Sequence, residues 1–146
     1  MTTMTSEEMR TFIERFVDVW ETENLPALLD CYAENARIDS PMFHTIEGRV
    51  DIEKSFENLF GAFADSQFEI EEVIVDREKE DRAVMVFSAR GTHRGVLFGL
   101  PGTGRRVQIS RAFILKFENG RILSERRLYD FTGLLVQLGV LKARAV

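Results

Sequence analysis

The chemistry open to this chain is concentrated in three polar residues set among apolar neighbours: His93, Arg111 and Asp130. Asp130 follows Leu128 and Tyr129 and precedes Phe131, Leu134 and Leu135. A carboxylate in such surroundings is costly to keep ionised, so it is expected to be paired, protonated or catalytic. Side chains alternate faces along a strand, and Val107, Ile109, Arg111, Phe113, Leu115 and Phe117 fall on one face of 105–118. That face reads as internal, and a guanidinium on it demands an acid partner. The strand before it carries Ala83, Met85, Phe87, Ala89, Gly91, His93, Gly95 and Leu97 on one parity, apolar or small except for His93. In the last strand the same count puts Asp130 with Ile122, Ser124, Arg126 and Leu128.

Three consecutive strands of a meander would bring these groups together. One outcome is a general acid/base carboxylate at the bottom of an apolar pocket, with Arg111 or His93 stabilising a developing enolate. The other is a structural Arg111–Asp130 ion pair beside a satisfied core histidine. The substrate wall is assigned to Trp20, Phe56, Phe60 and Phe113, with Phe98 as a further contact. Phe43 and His44 are placed at the pocket mouth, with a plain surface position as the favoured alternative for His44. No metal-ligand spacing of His, Cys and carboxylates is present, nor a serine nucleophile elbow. Gly99 to Gly104 lacks the lysine of a P-loop and links strand to strand, so it reads as a mobile loop rather than a phosphate cradle.

The elements that must position these residues follow from periodicity. Met9, Phe12, Ile13, Phe16, Val19 and Trp20 recur at helical spacing over 6–22, behind a Thr5/Glu8 capping box. Asn24 caps a short helix over 25–31 with Pro26 in its first turn. A short strand spans 36–41, an apolar loop 42–48, and a third helix 50–63. Strands are then expected at 67–76, 82–98, 105–118 and 121–130, with a charged turn from Arg77 to Asp81 and an Asn119-Gly120 hairpin turn. Residues 131–140 form a last apolar helix or cover an opening. The expected architecture is α+β, one domain over 1–146, with three N-terminal helices packed on a curved antiparallel sheet.

Composition narrows the partners. The 146 residues include 12 Phe against one Trp and two Tyr, enough phenyl surface to fill a core or line a cavity. A net charge of −5 argues against nucleic acid. A lone cysteine, Cys31, makes a reducing cytoplasmic location the default. No apolar run is long enough to span a membrane, and no signal peptide is indicated.

The motifs Gly91-Thr-His-Arg-Gly95, Phe98-Gly-Leu-Pro-Gly-Thr-Gly-Arg-Arg-Val107 and Phe117-Glu-Asn-Gly-Arg-Ile122 carry a family likeness. So does Asp130 followed by Gly133-Leu-Leu-Val-Gln-Leu-Gly139, with Leu28 to Ala36 and Ile46-Glu-Gly48 in the first half. With these the chain resembles the SnoaL-like polyketide cyclases of the NTF2-like superfamily over nearly its whole length. The resemblance implies a cone-shaped barrel, a homodimer joined through the outer sheet face, an apolar pocket for a small apolar molecule and no cofactor. It also implies that Asp130 is the general acid/base of a cofactor-independent aldol-type closure; the roles of His93 and Arg111 come from strand parity alone. The family often has tryptophan three residues before the aspartate, where this chain has Arg127, a departure that favours an acidic or ester-bearing ligand. The alternative function is a non-catalytic dimeric module binding a small apolar or weakly acidic ligand.

Overall fold

A computed structural model describes residues 3–42, 44–76 and 81–142. Phe43 and the core of the charged turn, 77–80, lie outside them. Helix α1 (Ser6–Glu21) opens with the capping box the sequence predicts: Glu8 N–H donates to Thr5 and Thr5 N–H donates to the Glu8 carboxylate. Its stripe buries Met9, Ile13, Phe16, Val19 and Trp20. Each large apolar side chain buried there contributes roughly 1.5–3 kcal/mol. Helix α2 (Leu25–Asp30) is capped by Asn24, and α3 (Arg49–Ala62) buries Ile52, Phe56 and Leu59.

The strands are β1 (Tyr32–Asp39), β2 (Ile46–Glu47), β3 (Phe63–Val75), β4 (Arg82–His93), β5 (Arg106–Glu118) and β6 (Arg121–Tyr129), followed by helix α4 (Phe131–Gln137). They form one six-stranded sheet in the order β2-β1-β6-β5-β4-β3. The sheet is curved and does not close, and the helices cover its concave face. The meander β3 to β6 is antiparallel as expected, but β1 adds to β6 in parallel. Strand β1 spans Tyr32–Asp39 rather than the expected 36–41, and β4 ends at His93 rather than near residue 98. Asn119 and Gly120 take positive φ values of 52° and 76°, the geometry the β5–β6 turn requires.

The inner faces of β4 and β5 match the sequence parity. Ala83, Met85, Phe87 and His93 are buried on β4, and Val107, Phe113, Leu115 and Phe117 on β5. On β6 the parity is reversed. Lys116 pairs with Ser124, but Phe117 pairs with Ile122, so Leu123 is an extra residue on β6. This bulge turns Glu125, Arg127 and Tyr129 inward and Ser124, Arg126 and Leu128 away from the core.

Candidate functional site

A partly open cleft of about 60 Å3 lies at one end of the concave face. Trp20, Leu59, Phe60, Phe63, Phe68 and Leu134 supply its apolar wall. The strands contribute Ala89, Gly91, Val107, Ile109 and Arg111, while Glu23, Ser66 and Arg90 complete the lining.

Arg111 is the half-buried cation of the cleft. Its Nε is buried and makes no hydrogen bond, and among the described residues no carboxylate lies within ion-pair distance of it. Burial holds the guanidinium down to about 10, although the neighbouring Tyr129 favours its charge. The compensation it receives is aromatic: the guanidinium carbon sits 4.8 Å from the Tyr129 ring centroid and 5.9 Å from that of Phe113. The Tyr129 hydroxyl in turn lies 3.1 Å from Ser40 Oγ.

A second guanidinium shares Phe113. Arg127 stands 5.1 Å from that ring and 5.1 Å from Trp20, and donates to Glu125 at 2.6 Å. Tyr32 donates to the other Glu125 oxygen at 2.7 Å. Glu125 and Arg127 are 1% and 3% exposed, so the pair is fully internal. Burial opposes the Arg127 charge, but Glu125 and Tyr32 outweigh it and raise the pKa. Burial and the Glu125 carboxylate together push the Tyr32 hydroxyl well above the usual range. Glu125 was invisible to strand counting because the bulge lies before it. Arg127 carried a signal, since it stands where the family often has tryptophan.

The expected convergence of His93, Arg111 and Asp130 does not form. Asp130 is exposed rather than internal: it follows the last residue of β6, and its carboxylate accepts from Gly133 N–H at 2.8 Å as the N-cap of α4. No Arg111–Asp130 ion pair exists. His93 is fully buried, but it belongs to the far part of the sheet. Arg111 pairs with Phe87, six positions from His93 along β4; that is about 20 Å at the rise of a strand. The His93 Nδ1 accepts from Thr103 N–H at 3.2 Å and lies 3.0 Å from Thr103 Oγ1. The other ring nitrogen, Nε2, is buried without a partner. His93 thus fastens the glycine-rich segment to the end of β4, and Gly104 N–H donates to its carbonyl at 2.8 Å.

Of the expected wall residues, Trp20 and Phe60 line the cleft. Phe56 and Phe113 are core residues beneath it, each 0% exposed and packed on Trp20. Phe98 is 55% exposed and meets Phe131 outside the cleft. His44 is exposed and not part of the lining. Among the described residues no cluster of His, Cys, Asp and Glu could hold a metal ion.

Helices packed on one face of a curved, unclosed six-stranded sheet, with a cleft at one end, define the NTF2-like cone fold. The sequence profile of the SnoaL-like polyketide cyclases matches residues 10–138, and the chain belongs to that family. AclR, a proposed hydroxylase from Streptomyces galilaeus, has a structure similar to this one at a TM-score of 0.81 and 24% identity, covering 97% of this chain and 91% of that one. TsrD from Streptomyces laurentii superimposes with a TM-score of 0.82 at 21% identity, over 94% of this chain and 99% of its own. A proposed SnoaL-like polyketide cyclase from Jannaschia gives 0.83 at 15% identity, over 97% and 99%. Among proteins with curated descriptions, none matches the sequence. No helix among the described residues is long and apolar enough to cross a membrane.

Proposed function

We propose that this chain is a cyclase-type enzyme that takes a small, apolar, carbonyl-bearing molecule into the cleft. Membership of the SnoaL-like family supports the reaction class. The observation that carries the reading is Arg111, a half-buried cation without an acid partner among the described residues, beside the apolar wall of the cleft. A preorganised guanidinium in such a place favours an oxygen on which negative charge sits or develops. The family resemblance alone offers Asp130 as the proton-transferring group; its carboxylate is exposed, caps α4 and does not line the cleft, so that role requires it to release the Gly133 N–H and turn toward the cleft.

That exposed placement of Asp130 favours a second reading, in which the cleft binds a ligand without transforming it. Asp130→Asn separates the two, because asparagine also caps helices well. On the enzymatic reading the variant loses turnover of a poly-β-carbonyl substrate while affinity and folding stay near wild type. Unchanged turnover removes Asp130 from the mechanism.

A homodimer through the outer sheet face is part of the proposal. Outward-facing Val84 and Ile114 pair across β4 and β5, and Ala112 lies between Val86 and Leu128, forming an apolar strip. Leu128 is 41% exposed in the single chain.

A further inference from the structure

The interior around Phe113 carries one charge too many. Two guanidiniums, Arg111 and Arg127, approach this ring at 5.9 and 5.1 Å. Among the described residues one internal carboxylate, Glu125, is present, and Arg127 and Tyr32 already occupy its two oxygens. Glu125 is 1% exposed and bonded on both sides, so it is not free to serve Arg111. With Glu125 and Arg127 cancelling, Arg111 leaves a net charge of +1. A half-buried charge whose Nε is enclosed and which has no counter-ion is disfavoured.

The remaining charged groups of the cleft do not remove it. Glu23 and Arg90 are both exposed lining residues of opposite sign, and so offset each other. Tyr129 offers Arg111 its ring face, and its hydroxyl is directed to Ser40. Ser66 is the remaining polar lining residue, and it carries no charge.

We infer that the natural occupant of the cleft is an apolar carboxylic acid, bound as its anion with the carboxylate on Arg111 and the hydrocarbon part against Trp20, Phe60 and Leu134. The inference rests on the proposed use of this cleft and deepens it, by making the ligand a ground-state anion rather than a neutral ketone or ester. Arginine suits the task because its planar fork can meet both carboxylate oxygens. The apolar side chains beside Arg111 lower the local dielectric, which strengthens that pair relative to the same pair in bulk water.

The test is calorimetric titration of the full chain with benzoate, phenylacetate and hexanoate, each against its methyl ester. At neutral pH the acids are expected to bind at least ten-fold more tightly than the esters. Arg111→Met should abolish that preference, and Arg111→Lys should retain part of it, with circular dichroism confirming that both variants fold. The preference should also fade as pH falls through the ligand's own pKa. Equal or tighter ester binding in the wild type overturns the anion inference while leaving the cleft as a binding site. So does a preference that survives Arg111→Met. If neither acids nor esters bind, the use of the cleft fails together with the inference.

Discussion

Glu125 and Arg127 stand two residues apart on β6, and their side chains meet at 2.6 Å inside the core. Residues at i and i+2 on a strand share a face, so the pair is local in sequence. Its burial is not local: Tyr32 from β1 and Trp20 from α1 close over it. Removing one member leaves the other charged and unsatisfied. Glu125→Gln is expected to cost about 3–5 kcal/mol of folding stability. The double substitution Glu125→Leu with Arg127→Met should recover most of that loss. Urea denaturation of the three proteins checks both statements; a double variant as unstable as the single one contradicts them.

Arg111 should behave in the opposite way. Its guanidinium is half-buried and has no acid partner among the described residues, so Arg111→Met is expected to raise stability, by about 1 kcal/mol if packing is retained. A melting temperature that falls instead would mean that the Tyr129 and Phe113 rings stabilise the guanidinium more than burial penalises it.

The Asp130 carboxylate has a structural duty that any catalytic test must separate. Asp130→Ala removes the cap of α4 and is expected to cost ~1 kcal/mol, whereas Asp130→Asn should be nearly neutral. Gly133 permits this cap, because a methyl group there would collide with the Asp130 carboxylate. Gly133→Ala should therefore displace the carboxylate and match the stability loss of Asp130→Ala. Hydrogen exchange at the amides of α4 would read the fraying directly.

Stability should fall in alkali in two stages. Burial raises the Cys31 thiol from 9.0 to about 11, and burial with Glu125 raises Tyr32 well above 10.0. Both groups keep their protons in the folded chain while the unfolded chain loses them. Their contribution is complete below the unfolded values and is lost as pH rises toward the folded ones. Decline is expected from pH 9 to about 11 through Cys31, and from pH 10 upward through Tyr32. Cys31→Ala should flatten the first stage. At pH 8 the native thiol should also resist alkylation until the chain is unfolded.

The outer strip can be tested through assembly. Ala112→Arg places a charge between Val86 and Leu128 on the outer face. Light scattering should find a dimer for the wild type and a monomer for the variant, with circular dichroism unchanged. A monomeric wild type removes the dimer from the proposal.

The helices and the central strands were legible because their signals are local. Thr5 and Glu8 form their capping box within four residues, and the inward residues of β5 follow directly from alternation. Arg111 was therefore found on the right face from the sequence. Asp130 was not. Regular alternation along β6 puts it inward, but the extra residue at Leu123 reverses every side chain beyond it. The same slip hid Glu125. His93 was placed on the correct face, but parity gives no distance along a strand, and Arg111 lies about 20 Å away from it.

Sequence alone determined the element types, the caps, the Asn119-Gly120 turn and the apolar faces, since each depends on neighbours a few residues away. Tertiary structure decided which charges meet. The β6 bulge, the parallel docking of β1 and the closure of α1 join residues from distant parts of the chain, and a charge inside a protein is governed by what packs on it rather than by what precedes it. Hence Glu125 pairs with Arg127, Asp130 caps a helix, and Arg111 faces the cleft without a carboxylate of its own.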